Sequence, residues 1–215
     1  MSKTALIMGD SYSTFKGHIP EGYASWYPEN MQCGETDVKT VADTWWYQVM
    51  QEADLELLLN NSWSGSPIGY TGYNNTDCSH SSSFIYRLNQ LIENGFFERN
   101  RIDTVLVFGG TNDSCANAPL GEMTDGNETA DLYAVLPAIC HFFKRLRETL
   151  PNAAIYCLIN TGLKTEIVHA LKEVSRRHGI TAVTFEHIDK YWGHPTAHGM
   201  RDIAHTVLQA LNPIP

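Results

Sequence analysis

Four short segments of this chain carry residue types that can do chemistry together, and each follows an apolar run of strand length. The run at residues 3–8 gives way to Gly9-Asp10-Ser11, and the run at 55–59 to Asn60-Asn61-Ser62-Trp63-Ser64-Gly65. The run at 104–108 ends in Gly109-Gly110-Thr111-Asn112-Asp113. After the run at 181–185 come Asp189 and then Gly193-His194-Pro195. A hydroxyl, backbone donors beside a glycine, a carboxamide and an imidazole are the parts acyl transfer requires: nucleophile, oxyanion donors and general base. A serine hydroxyl is a poor nucleophile until a neighbouring base removes its proton. Glycine at position 65 lets backbone approach a ligand closely, and an amide N–H₂ donates to an oxyanion without titrating.

These parts meet only if the runs are adjacent strands. Near-continuous aliphatic stretches at 3–8, 55–59, 104–108, 154–159 and 181–185 suit strands buried on both faces of a parallel sheet. Helical periodicity lies between them. One helix is expected from Thr40, where Asp43 completes a capping box and Val41, Trp45 and Val49 share a face. Others carry Ile139, Phe142, Phe143, Leu146 and Leu150; Ile167, Val168, Leu171 and Val174, stopping at Gly179; and Met200, Ile203, Ala204, Val207 and Leu211. A weaker pattern covers 84–92, and Pro137 starts or kinks its helix. Five βα units predict an α/β fold, a three-layer α/β/α sandwich around a five-stranded parallel sheet, flavodoxin-like in topology, as a single domain over 1–215. Two long loops, 12–38 and 111–130, leave the carboxyl ends of strands, where open α/β sheets bind ligands. The first holds Tyr23, Trp26 and Tyr27, too aromatic for a disordered linker.

Composition narrows the function classes. A hydrophobic content of 43% and a charged content of 18% are those of an ordinary globular protein. A formal net charge of -9 argues against nucleic acid as a partner. Five cysteines without a CxxC pair suggest neither a disulfide framework nor a zinc site. No apolar run reaches the roughly 18 residues of a membrane span, and no leader pattern opens the chain, so a cytoplasmic location is expected.

In order, Gly9-Asp10-Ser11-Tyr12, the segment from Asn60 to Gly65, Gly110-Thr111-Asn112-Asp113, and His194-Pro195 with Gly199 resemble the four blocks of the SGNH/GDSL hydrolases, the serine esterases and acylhydrolases. The resemblance spans the chain from its ninth residue nearly to its end. It implies Ser11 as nucleophile and His194 as base, with an oxyanion hole formed by the backbone N–H groups of Ser11 and Gly65 and the Asn112 amide. It implies neither cofactor nor metal. Activity is then expected to rise with pH around an unperturbed histidine pKa of about 6.5.

One departure stands out. The family's last block places an acid three residues before the histidine, and position 191 is Tyr191. Asp189 is the favoured third member, with a backbone carbonyl and a Ser–His dyad as the alternative. Tyr12, Trp26, Tyr27 and Trp63 are candidate walls of a substrate pocket, Trp45 and Trp46 core, and Asp10 and Asp113 orienters of loops. His198 reads as a solvated helix histidine and Cys115 as a passive thiol. The expected substrate is a small-molecule carboxylic ester, an acetylated carbohydrate or a short acyl ester; an acceptor other than water remains open. Two other classes compete: a flavodoxin-like module binding a flavin or nucleotide at the hydroxyl-rich 11–14 segment, and Mg²⁺-dependent phosphotransfer at Asp10 and Asp113.

Overall fold

In the computed structural model, residues 2–127 and 129–212 are described. Position 128 of the second long loop, and positions 1 and 213–215 of the expected domain, lie outside them. The strands in chain order are β1 (Lys3–Gly9), β2 (Glu29–Asn30), β3 (Gly34–Glu35), β4 (Leu55–Ser62), β5 (Thr104–Phe108), β6 (Ala154–Ile159), β7 (Thr181–Thr184), β8 (Lys190–Tyr191) and β9 (His194–Pro195). The helices are α1 (Trp45–Glu52), α2 (Phe84–Glu93), α3 (Phe96–Arg99), α4 (Thr111–Cys115), α5 (Val135–Thr149), α6 (Thr165–Arg177) and α7 (Ala197–Leu211).

Five of the strands form a parallel sheet in the order β4-β1-β5-β6-β7, as the apolar runs predicted. The period of two sends alternate residues to opposite faces. Leu6, Met8, Val105, Val107, Ile155 and Cys157 pack beneath α2, α5 and α6, whereas Ala5, Ile7, Leu106, Phe108 and Val183 pack beneath α1 and α7. Both faces are therefore covered, which is why the strands are aliphatic rather than alternating. Gly9, the last residue of β1, pairs with Ser62 of β4 on one side and Phe108 of β5 on the other. Three chain ends thus leave the sheet side by side.

Some boundaries differ from the sequence expectation. Thr40 and Asp43 do form a capping box, but it closes a single 3-10 turn, Val41–Asp43. The helix proper is capped by Thr44, whose Oγ1 accepts from Tyr47 N, so Val41 lies outside it. Pro137 is the third residue of α5, in the first turn, where a missing N–H removes no intrahelical bond. The first long loop carries the two-stranded β2–β3 hairpin. The second begins as the short helix α4.

A second hairpin, β8–β9, was not anticipated, and it carries His194. Tyr191 pairs with His194 across a two-residue turn, in which Trp192 (φ 51°) and Gly193 (φ 73°) are both left-handed. Such turns match the twist of the strands they join. The hairpin rests on the first turn of α7 at Gly199, where an added Cβ would lie 2.1 Å from the carbonyl oxygen of Asp189. Backbone cannot yield as a flexible side chain does. Gly199→Ala is therefore expected to cost about 1–3 kcal/mol by overpacking, read as a lowered urea midpoint with unchanged m-value. A midpoint equal to that of the unaltered protein would show that the hairpin is not seated on this glycine.

Candidate active site

Ser11 opens a 3-10 turn, Ser11–Ser13, directly after β1. Asp10 caps the turn: its Oδ1 accepts from the Tyr12 N–H at 3.0 Å. Thr14 Oγ1 donates back to the Ser11 carbonyl. So held, Ser11 Oγ lies 2.9 Å from His194 Nε2. The other ring nitrogen, Nδ1, lies 3.0 Å from the carbonyl oxygen of Trp192. A carbonyl only accepts, so Nδ1 carries the ring proton and Nε2 presents its lone pair to the serine hydroxyl. That is the tautomer a general base requires.

Asp189 does not meet His194. Its Oδ2 accepts from Thr196 Oγ1, and its carbonyl accepts from Thr196 N at 3.0 Å. The physical reason is the hairpin. Residues 190–195 pair with each other instead of looping out, which leaves Asp189 at the hairpin's base and brings the Trp192 carbonyl to the imidazole. The expected third member is thus corrected to a backbone group.

The remaining parts converge on one cavity of about 880 Å³. Ser11, Gly65, Asn112 and His194 line it together with Trp26, Tyr73, Met31 and the polar residues Ser25, Glu29, Asn30, Gln32 and Ser64. Gly65 is left-handed at φ 82°. Asn112 Nδ2 donates one hydrogen to the Ser66 carbonyl at 2.9 Å, which leaves its second hydrogen for another acceptor. Both carboxylate oxygens of Asp113 accept from Ile68 N, at 2.9 and 3.0 Å, and Oδ1 also takes Gly69 N at 3.2 Å. The segment after Gly65 is pinned to the segment carrying Asn112 in this way.

Beneath the cavity lies Arg87 of α2, fully buried and without a carboxylate partner in hydrogen-bonding contact. Its guanidinium donates to the Ser82 carbonyl, to the Asn61 carbonyl and Oδ1, to the Gly9 carbonyl and to Ser66 Oγ. Burial draws its pKa down to about 10, so it stays cationic. Nothing in the sequence marked it, because arginine is seldom wholly buried.

Three of the four aromatic candidates stand elsewhere than expected. Tyr12 and Tyr27 are buried, and their hydroxyls donate to the carbonyls of Gly193 (2.6 Å) and Pro195 (2.7 Å). They brace the residues on either side of His194 and do not line the cavity. Trp63 stacks with Tyr23, centroids 4.2 Å apart, and also stands outside the lining. Trp26 is a cavity wall, and its ring lies flat on the imidazole of His194. The Trp192 carbonyl is the backbone alternative that the sequence left open, now given a residue, and Lys190 is a contributor the sequence did not mark. Lys190 Nζ donates to Asn160 Oδ1 and to the Thr161 carbonyl and hydroxyl. The X-Gly pair at 192–193 was the available signal for the hairpin.

The charges follow from burial. Asp10 is pushed up to about 7 and Asp113 to about 6, in both cases chiefly by desolvation. Both carboxylates serve backbone N–H groups. Desolvation lowers His194 to about 4; the Trp192 carbonyl opposes this, and the cationic Lys190 adds to it. The expected midpoint near that of free imidazole therefore moves down. Nitrogen-15 NMR of histidine-labelled protein should place the His194 midpoint near 4, and Lys190→Met should raise it by removing the cation. A midpoint near about 6.5 that ignores Lys190 would contradict burial as the cause.

Comparison with known proteins agrees with this architecture. The family described as GDSL-like lipase/acylhydrolase matches residues 3–211. A structure from Bacteroides uniformis solved as a GDSL-like lipase is 41% identical, covers 99% of this chain and 97% of its own, and superposes with a TM-score of 0.89. A second, from Bacteroides ovatus, is 35% identical with full coverage of both chains and a TM-score of 0.89. A family two carbohydrate esterase from Clostridium thermocellum, solved with cellohexaose, is 16% identical over 97% of this chain and 63% of its own, with a TM-score of 0.65, and shares the fold. The curated proteins returned no match. With a family match over nearly the whole chain and two full-length relatives above 30% identity, the chain belongs to the GDSL-like lipase/acylhydrolase family.

Proposed function

We propose that this protein is a serine esterase running on a Ser11–His194 dyad, and that it releases a short acyl group, acetyl foremost, from a carbohydrate. The observation that carries the reading is the 2.9 Å contact of Ser11 Oγ with His194 Nε2 at the floor of a cavity that Gly65 and Asn112 also line. His194 takes the hydroxyl proton as Oγ attacks the acyl carbon. The N–H groups of Ser11 and Gly65 and the free hydrogen of Asn112 receive the oxyanion. As the ester C–O bond breaks, the imidazolium returns its proton to the leaving alcohol. Water, activated by the same imidazole, then frees the acid from the serine.

The cavity's chemistry supports a sugar over a fatty chain. Its lining mixes polar groups with aromatic and apolar ones, and among the described residues no Lys or Arg lines it to hold a phosphate or carboxylate. Asp10 and Asp113 are turned to backbone amides rather than into the cavity, which disfavours phosphotransfer at those acids. The hydroxyls of Ser11 and Thr14 are engaged within the protein, which disfavours a flavin phosphate there.

Hydrolysis of p-nitrophenyl acetate and of acetylated xylo- and cello-oligosaccharides tests the proposal. Ser11→Ala should lose several orders of magnitude in kcat and all labelling by a fluorophosphonate. Asn112→Ala should lose about 10²–10³ in kcat. Asp189→Asn should lose less than about tenfold, because the imidazole is held by a carbonyl. Serine-independent turnover would sink the mechanism. Preference for long acyl chains over acetylated sugars would sink the substrate class.

A further inference from the structure

The imidazolium that forms during acyl transfer has a weak environment. Its ring N–H meets one neutral carbonyl, the Asp189 carboxylate is turned to Thr196, and the cationic Lys190 stands nearby. In a triad the third carboxylate stabilises that cation. Here the largest group in contact with the ring is Trp26. The two ring centroids are 3.3 Å apart with planes 10° from parallel. Trp26 is 7% exposed, and its backbone N–H donates to Thr14 Oγ1 at 2.9 Å, the cap of the turn that holds Ser11. The tyrosine bonds to the Gly193 and Pro195 carbonyls hold the backbone on either side of His194.

An indole face carries negative quadrupole charge and attracts a cation set over it, most strongly where water is excluded. We propose that Trp26 replaces the missing carboxylate: its ring face stabilises the His194 imidazolium formed when Ser11 gives up its proton. Trp26 is in this sense a positioning and electrostatic residue acting through His194, and the inference rests on the Ser11–His194 reading above. The groups that face the imidazole are few. The β1 end supplies Ser11 and Tyr12, β8 supplies Lys190, the first long loop supplies Trp26 with Glu29 on the same cavity, and the base of the hairpin holds Asp189.

The decisive experiment replaces Trp26 alone with mono-, di- and trifluorotryptophan, which withdraws charge from the ring face at nearly constant shape. With p-nitrophenyl acetate, kcat should fall stepwise, by about tenfold at three fluorines, while KM stays within about twofold of its starting value. The acid limb of the kcat/KM profile should move to lower pH in the same order, since a poorer ring face favours the neutral imidazole. Trp26→Phe should fall within the series and Trp26→Leu below it. A flat series, in kcat and in pH profile alike, would overturn the proposal and leave Trp26 a passive wall. Ser11→Ala, measured beside it, separates the two readings. If that variant is inactive and the series flat, only the role of Trp26 fails; if that variant is active, the dyad itself fails.

Discussion

A single buried cation holds the floor of the site together. Arg87 reaches the last residue of β1, the penultimate residue of β4 and the serine that follows Gly65, all from one guanidinium. These are the segments that present Ser11 and the Gly65 N–H. Parallel strands end in backbone groups with no further strand to pair with, and a buried orphan carbonyl costs about 1–3 kcal/mol. Five donors in a rigid planar fork satisfy several such carbonyls at once. No lysine could do so, because three donors on one atom cannot span β1, β4 and the loop beyond. The absence of a carboxylate in that network is what lets all the donors go to the loop ends.

On the opposite side of the cavity the same economy of backbone groups recurs. The β8–β9 turn bends so tightly that the carbonyl of its own first turn residue reaches the histidine two positions on. The tautomer of the imidazole is then set within one hairpin. Tyr12 and Tyr27 tie that hairpin to the first loop, and Gly199 lets it sit on α7. The geometry of Ser11 and His194 depends on this seating as much as on either residue.

The parts legible in the sequence were those in which residue type itself performs the task. Aliphatic runs announce a covered parallel sheet, and the strand-end positions of Ser11, Gly65, Asn112 and His194 announce their meeting in one cavity. What was hidden was work done by groups common to all residues or by the less expected end of a side chain. An acid near His194 suggested Asp189, whereas any residue at position 192 supplies a carbonyl. Aromatic residues in the first loop suggested walls, but Tyr12 and Tyr27 act through their hydroxyls, away from the cavity. Thr40 and Asp43 made a true capping box on a turn too short to be a helix.

Burial beneath the cavity sets two titrations against each other. Asp10, raised from 3.8 to about 7, favours its protonated form in the folded chain. Its contribution to stability is therefore complete below 3.8 and is lost as pH rises through about 7. His194, lowered from 6.5 to about 4, favours its neutral form, so its contribution is complete above 6.5 and is lost as pH falls through about 4. Between about 4 and 6.5 the two trends oppose each other, since rising pH completes the contribution of His194 while it removes that of Asp10. Well below neutrality the folded chain therefore holds a neutral His194 and a protonated Asp10. Because the unfolded chain ionises Asp10 from 3.8 upward, the stabilising contribution of that acid shrinks steadily from there and is gone by about 7.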